Sequence, residues 1–240
     1  MPRSVVPVLA AAALAGCHPQ FGDDGGATVS KNYSVGAFQQ IEVAGPYEVE
    51  VRTGSNPSVA ASGSQKLLEH TQVDVEGDKL VIRPENQHGF FHWGWGNHGK
   101  AHFAVTVPQL SGATIAGSGG ITVDKITGNT FEGEIAGSGD LQLTSVEVQS
   151  LKLSIGGSGG VKAGAGHAKA ADYGIAGSGS INTAGITAEQ AKVSIAGSGS
   201  VKANATGTAD VEVMGSGDVN VTGGAKCTVS KAGSGNVRCS

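Results

Sequence analysis

Four of the seven histidines in this 240-residue chain lie within one short segment, residues 87–103. They form two pairs with three residues between the members of each pair: His88 with His92, and His98 with His102. Neutral imidazoles at such intervals can bind Zn, Cu or Ni. The segment contains no cysteine, and Glu85 is the one nearby carboxylate that could complete a ligand set. The histidines are therefore a candidate metal site; apart from such a metal, the sequence predicts no cofactor.

The same segment holds both tryptophans of the chain and several phenylalanines. The candidate contact residues are Phe90, Phe91, Trp93 and Trp95. Because tryptophan and phenylalanine are common in interfaces, this aromatic, glycine-rich loop predicts contact with a partner protein, a glycan or a lipid head group. In the alternative interpretation, the loop only folds its aromatic side chains over an open end of the fold.

The sequence carries no arrangement of catalytic residues. Asp140 and Asp218 occupy equivalent positions after Gly-Ser-Gly but lie four repeats apart, too far to act as the paired carboxylates of a glycosidase. Calcium-binding nonapeptide repeats would need Asp about every nine residues. No basic block accompanies the formal net charge of −4, which argues against a nucleic-acid partner. We therefore predict a protein that is not an enzyme, with a β-helix carbohydrate-active enzyme as the minor alternative.

A regular repeat must position these residues. Gly-Ser-Gly occurs seven times, beginning at Gly117, Gly137, Gly157, Gly177, Gly197, Gly215 and Gly233. The intervals are 20 residues and then 18, and such a period predicts one structural unit stacked on copies of itself. A corner with positive φ suits glycine. Each triplet should therefore mark a corner of a parallel β-helix rather than a ligand site.

Apolar residues alternate with polar ones between the triplets, which predicts two or three short strands in each turn. One inward column should contain Ile115, Ile135, Ile155, Ile175, Ile195 and Val213. Residues 111–240 form this repeat part. Residues 29–110 form a β-rich part that precedes it, with a hairpin around Gly77 and a single short helix near residues 64–70. The predicted class is all-β, a parallel β-helix or solenoid with 18–20-residue turns.

The N-terminus has the features of an export signal. Arg3 gives a positive start, and residues 5–15 are apolar but too short to span a bilayer. Leu14-Ala15-Gly16-Cys17 resembles the lipobox of bacterial lipoproteins, in which the chain is cut before the cysteine and the thiol carries a diacylglycerol. This resemblance implies a signal peptide over residues 1–16 and lipidation at Cys17. The alternative is an ordinary secretory peptide with a chance cysteine.

Lipidation would anchor the mature protein to a membrane without spanning it. Residues 17–28 follow as a flexible tether rich in Pro, Gly and Asp. The residue after Cys17 is His18, not the Asp that resembles an inner-membrane retention signal. We therefore expect the outer membrane if the cell has one, with the protein facing either the periplasm or the exterior.

Two further cysteines, Cys227 and Cys239, lie twelve residues apart near the C-terminus. In an oxidising compartment an even pair suggests a disulfide, and the last turn of a stack is a natural place for one. Two free thiols or a pair of metal ligands are the alternatives.

Several motifs outside the histidine segment occur together in one known family. They are Phe38 with Ile41-Glu-Val43, Tyr47-Glu-Val49, Leu80-Val81-Ile82, Val105-Thr-Val107-Pro108 with Leu110, and the recurring Ala-Gly-Ser-Gly. Over residues 33–238 the chain resembles the putative autotransporter adhesin head GIN domain family. The resemblance implies an exported, β-helical, non-enzymatic protein with an adhesion, binding or structural role in the envelope. Its partner would be an envelope protein or a glycan; the alternative is a periplasmic metal- or glycan-binding protein that uses the histidine segment.

Overall fold

The computed structural model describes residues 27–85 and 100–240, and strands account for most of them. The elements in chain order are β1 Thr28–Tyr33, β2 Gln40–Ala44, β3 Glu48–Thr53, β4 Ser58–Ser64, α1 Gln65–Glu69, β5 Thr71–Glu76, β6 Lys79–Pro84, β7 Ala101–Val107, β8 Gly112–Gly117, β9 Gly120–Gly137, β10 Asp140–Gly157, β11 Gly160–Gly177, β12 Ser180–Gly197, β13 Ser200–Gly215, β14 Asp218–Thr222, β15 Lys226–Ala232 and β16 Asn236–Cys239. Together they form a parallel β-solenoid of about six turns, which confirms the predicted all-β class.

Each central turn is one long strand that bends around the solenoid, not the two or three separate strands that the alternation predicts. Strands β9 to β12 each run for 18 residues and pair in parallel with the turn before and the turn after. The alternation of buried and exposed residues breaks where the strand bends, for instance at the two exposed residues Gln149 and Ser150. The strand continues through these bends although single register pairs are missing there, so no loop separates the sides of a turn.

The Gly-Ser-Gly triplets are the corners, as predicted. Gly157 has a φ of +135°, and a Cβ on it would collide with the carbonyl oxygen of Gly137 in the turn before. The amide of Ser158 donates to that same oxygen over 2.9 Å. Only glycine allows both the positive φ and this close approach of two backbones.

The interior contains columns of aliphatic side chains that run along the solenoid axis. The predicted isoleucine column is confirmed, because strand pairing aligns each member with the next, from Ile115 to Val213. Strand β11 buries three alanines, Ala163, Ala168 and Ala171, and one aromatic side chain, Tyr173. Mixing small and large inward residues is one way in which a core reaches close packing.

The N-terminal strands belong to the same stack. Strand β2 pairs in parallel with β8, so that Val43 extends the isoleucine column beside Ile115. Gly45, with a φ of +126°, lies against Gly117 and forms the corner between β2 and β3. Strands β6 and β7 add a further turn beyond β2 and β3. Residues 85–100 connect β6 to β7 in the sequence.

Antiparallel strands and a short helix cover the first end of the stack. Strands β1 and β4 pair antiparallel beyond β7, and β5 pairs antiparallel with β6, which confirms the hairpin around Gly77. Helix α1, which confirms the single predicted helix, buries Leu67 and Leu68. Its preceding residue, Ser64, makes no capping side-chain hydrogen bond to the helix.

The other end carries different inward residues. Strand pairing aligns Cys227, Val229 and Lys231 of β15 with the inward residues of β13. Cys227 forms a disulfide with Cys239 of β16, across a Cα–Cα distance of 6.6 Å. The Nζ atom of Lys231 donates to the carbonyl oxygen of Gly235 over 2.8 Å. A crosslink and a charged side chain thus replace the aliphatic core in the last turn.

Two outer faces extend along the whole stack. The front face is the outer surface of β1, β4, β7 and β3, continued by the first residues of each later turn and ending at β14 and β16. The rear face is the outer surface of β5, β6, β2 and β8, continued by the last residues of each turn and ending at β15. Within residues 27–85 and 100–240, no helix is long and apolar enough to cross a membrane.

Candidate ligand-binding site

The front face is hollowed near the first end of the stack. Strands β1, β4, β7, β3 and β9 enclose an open cavity of about 910 Å³, which we call the head cleft. Its polar lining residues are Ser30, Asn32, Glu48, Glu50, Ser62, Lys100, His102, Ser118 and Thr122. The head cleft is therefore a polar surface built from strands that are far apart in the sequence.

Strand register arranges the lining in two rows. The first row contains Ser30, Ser62, His102 and Glu48 as successive register partners. The second contains Asn32, Ala60, Ala104, Glu50 and Thr122. Neighbours within a row lie about 4.8 Å apart, the spacing of paired strands. Because the alanine side chains are short, the centre of the cleft is recessed relative to the longer polar side chains around it.

An aromatic cluster supports the floor of the cleft from inside. The ring of Phe103 lies 5.5 Å from that of Tyr47 in an edge-on arrangement and 6.3 Å from that of Tyr33. The hydroxyls of Tyr47 and Thr71 are 3.0 Å apart, and burial raises the pKa of Tyr47. Such interlocked rings hold the backbone of β3 and β7 rigid, so the outward side chains keep fixed relative positions.

Most of the charged groups in the cleft have no partner among the described residues. Glu50 pairs with Arg52 over 2.8 Å, but the side chains of Glu48, Lys100 and His102 form no hydrogen bond or ion pair in the part of the chain that the structure describes. The carboxylate of Glu48 occupies the space above Gly120, which has no side chain of its own. A carboxylate, an imidazole and an ammonium group are thus available to a ligand, beside hydroxyls and an amide.

Serine, histidine and glutamate in one row have the composition of a hydrolytic triad. Nucleophilic catalysis requires the base to be within hydrogen-bond reach of both the nucleophile and its orienting group. No hydrogen bond joins His102 to Ser62 or to Glu48 among the described residues. The row as it stands offers groups for binding and does not form a catalytic relay.

The structure describes only part of the predicted site. His102 is exposed on β7 and lines the head cleft. The other predicted residues, His88, His92, His98, Phe90, Phe91, Trp93, Trp95 and Cys17, lie outside the described residues. Within the described ranges, no group of three or more His, Cys, Asp or Glu side chains is placed to hold a metal ion. Cys227 and Cys239 are joined in a disulfide at the far end of the stack.

Sequence reasoning missed the other lining residues of the cleft. Ser30, Asn32 and Ser62 come from β1 and β4, which pair with β7 only through long-range antiparallel contacts. The alternation in Tyr47-Glu-Val-Glu-Val51 does put Glu48 and Glu50 on one exposed side. This alternation identifies an exposed side of β3, but it does not show which other strands line the same cleft.

The fold and the cleft together define a β-solenoid with a polar cleft near one end. The family model described as "Putative auto-transporter adhesin, head GIN domain" matches residues 37–225, and the chain belongs to this family. Among curated proteins, none matches the sequence.

Solved structures share the fold. A putative adhesin from Bacteroides fragilis is 22% identical with a TM-score of 0.77, and the match covers 89% of this chain and 97% of that one. A putative lipid binding protein from Parabacteroides distasonis is 24% identical with a TM-score of 0.72, over 91% of this chain and 98% of that one. A putative adhesin from the same species is 20% identical with a TM-score of 0.66, over 90% and 98%. At these identities the likeness concerns the fold alone.

Proposed function

We propose that this protein is a non-enzymatic lipoprotein of the cell envelope with an adhesion or binding role. In this proposal the head cleft and the adjoining segment 87–103 form its contact surface. The observation that carries it is the head cleft itself: an open cavity of about 910 Å³ lined with polar groups, three of them a carboxylate, an ammonium and an imidazole whose side chains have no partners among the described residues. Membership of an adhesin family supports the same role.

The cleft includes the first strand of the chain, which bears on how far the contact surface would lie from the proposed membrane anchor. Strand β1 begins at Thr28 and contributes Ser30 and Asn32 to the cleft. Lipidation at Cys17 would leave a tether of roughly 20 Å average span between the anchor and this strand. The contact surface would therefore lie close to the membrane that holds the anchor, which favours an envelope glycan or envelope protein as its partner.

The chemistry of the cleft suits a polyhydroxylated ligand better than an apolar one. Glu48 offers acceptor oxygens, Lys100 offers donors, and His102 offers both. The low centre at Ala60 and Ala104 leaves room for a flat ring. In this proposal the aromatic residues of segment 87–103 add interface area for the same partner.

Glycan-array binding tests this proposal. A double variant, Glu48→Gln with His102→Ala, removes two lining groups from exposed positions and should keep the fold. The matched control is Glu132→Gln with His167→Ala, which changes the same residue types at exposed positions outside the cleft. Loss of glycan or envelope-protein binding in the first variant but not in the second supports the head cleft. Equal binding by both variants would reject it.

Metal binding is a second candidate, favoured by the position of His102 beside Glu48 on the adjacent strand. Imidazole and carboxylate both bind Zn²⁺, and His88, His92 and His98 would supply further ligands. Titration with Zn²⁺, Cu²⁺ or Ni²⁺ while tryptophan fluorescence is recorded tests this candidate, because both tryptophans lie in segment 87–103. An unchanged spectrum with all three metals would rule it out.

A further inference from the structure

A row of basic and amide side chains runs along the front face beyond the head cleft. Strand pairing aligns Lys162, Asn182, Lys202, Asn220 and Arg238 as successive register partners on β11, β12, β13, β14 and β16. All five are exposed. Every second turn therefore presents a cation, at intervals of about 9.6 Å, and an asparagine lies between each pair. We call these five residues the cation row.

The three cations of this row lack partners. The charged groups of Lys162, Lys202 and Arg238 form no ion pair and no hydrogen bond within residues 27–85 and 100–240. Acidic residues on the same face lie in the neighbouring row, at Asp140 and Asp218, and Asp218 accepts a hydrogen bond from the amide of Asn236 over 3.2 Å. The three cations thus form no ion pair among the described residues, and the two carboxylates of this face lie in the next row.

The rear face of the same turns is different. There the register partners are Glu132, Lys152, Asp172, Lys192 and Asp210, whose charges alternate from one turn to the next. Lys152 pairs with Glu132 over 2.6 Å, and this pairing raises the pKa of Lys152. The row on the rear face therefore alternates in charge, whereas the cation row contains only cations and amides.

We propose that the cation row binds a linear anionic polysaccharide lying parallel to the solenoid axis. A β-linked chain with one carboxylate in every second sugar presents its charges at a comparable interval and in a straight line. The lysines and the arginine would pair with the acidic groups, while Asn182 and Asn220 would donate to and accept from the hydroxyls between them. The row spans about 19 Å, or four strand spacings, and so covers a short oligosaccharide.

The spacing of the charges favours this partner over other polyanions. Double-stranded DNA carries a charge about every 1.7 Å along its axis, far more densely than the row could match. An anionic membrane would attract a broad patch, whereas this row is one side chain wide and the protein has a net charge of −4. The proposal does not depend on the head cleft, because it uses different residues.

Binding of hyaluronan oligosaccharides, which carry one carboxylate per disaccharide, tests the proposal by calorimetry at physiological salt. The test variant is Lys162→Gln, Lys202→Gln and Arg238→Gln. The control variant, Lys152→Gln, Lys192→Gln and Lys226→Gln, removes the same charge from the rear face and the last turn. Circular dichroism and thermal unfolding establish that both variants fold. Carboxyl-reduced hyaluronan, a short DNA duplex and phosphatidylglycerol vesicles serve as comparison ligands.

We expect the test variant to bind at least tenfold more weakly and the control variant to bind within about twofold of the parent protein. Carboxyl-reduced hyaluronan should not bind. An equal loss in both variants would overturn the proposal, because the attraction would then follow total charge rather than the row. Binding of DNA or vesicles as tight as that of hyaluronan would overturn it as well, and so would an absence of hyaluronan binding by the parent protein.

Discussion

His102 and Glu48 are register partners on the adjacent parallel strands β7 and β3, and both line the head cleft. They are 54 residues apart in sequence and meet because the turn that contains β7 stacks directly on the turn that contains β3. Gly63 allows β4 to close against this pair of strands, since a Cβ on Gly63 would collide with the carbonyl oxygen of Lys100. The cleft thus depends on the same close backbone stacking as the Gly-Ser-Gly corners.

Substitution of a corner glycine should destabilise the solenoid strongly. Gly157→Ala would put a Cβ against the carbonyl oxygen of Gly137 at a φ of +135°, which should cost about 3 kcal/mol in the free energy of unfolding. Gly156→Ala is the matched control. It has open space around its Cβ position, with the nearest atom 3.8 Å away, and alanine already stands at the aligned positions Ala136 and Ala176. Urea unfolding should show a large shift of the midpoint for the first variant and almost none for the control.

Removal of the terminal disulfide should loosen the last turn without unfolding the rest. Cys227→Ser with Cys239→Ser opens a loop closed by residues twelve apart, for which chain entropy predicts a loss of about 3 kcal/mol. Hydrogen exchange should quicken in β15 and β16, whereas exchange in β10 and β11 should stay slow. Two free thiols in protein purified from an oxidising compartment, detected by mass spectrometry after alkylation, would contradict the crosslink.

The buried hydroxyl of Tyr173 should make stability sensitive to alkaline pH. Burial raises the pKa of Tyr173 to about 12 from an ordinary value of 10.0, and a weaker interaction with Thr183 opposes the rise. The hydroxyl has no hydrogen-bond partner among the described residues. Since the folded state holds the proton more tightly, this contribution to stability is complete below about pH 10 and is lost as the pH rises towards 12.

Tyr173→Phe tests this account. The variant removes an unpaired polar atom from the core and should be at least as stable as the parent protein at pH 8, by up to about 1 kcal/mol. Between pH 10 and pH 12 its unfolding midpoint should fall less steeply than that of the parent. If the unfolding midpoints of the two proteins fall equally with rising pH, ionisation of the Tyr173 hydroxyl is not coupled to unfolding, and the account is wrong.

The proposed anchor can be tested in cells of the source organism. Cys17→Ala should abolish incorporation of labelled palmitate and shift the protein from the membrane fraction to the soluble fraction. Cys227→Ser is the matched control, because it removes a cysteine that would not carry lipid. Unchanged membrane association of Cys17→Ala would mean that another feature holds the protein at the membrane.

The repeat part of the fold could be predicted because its signal is local. Each Gly-Ser-Gly triplet occupies a corner, and the residue two before it is a buried isoleucine or valine in every turn except the last, which has Lys231. The first turns share only part of this signal: Gly45 has a positive φ and the buried Val43 stands two residues before it, but Pro46 and Tyr47 stand where later turns have Ser and Gly. Strands β2 and β3 pair directly with β8 and β9, a contact that no motif in the sequence marks.

The candidate site could be predicted only in part, because its residues meet through register rather than through a motif. His102 was a candidate on the basis of its spacing from His98, which is a local pattern. Ser62 and Ser30 join it through antiparallel pairing of β4 and β1, and no periodicity in the sequence marks that pairing. The cation row has no sequence motif either, since its members are 18 to 20 residues apart and differ in type.

Site-specific photo-crosslinking in the cell envelope tests the central claim, that the head cleft is the contact surface, most directly. A benzophenone amino acid replaces Ala104 in the cleft or, as the control, Ala176 on the rear face; both positions are exposed. The account predicts a discrete crosslinked product of higher mass from position 104 and none from position 176. A product from position 176 with none from position 104 would contradict it.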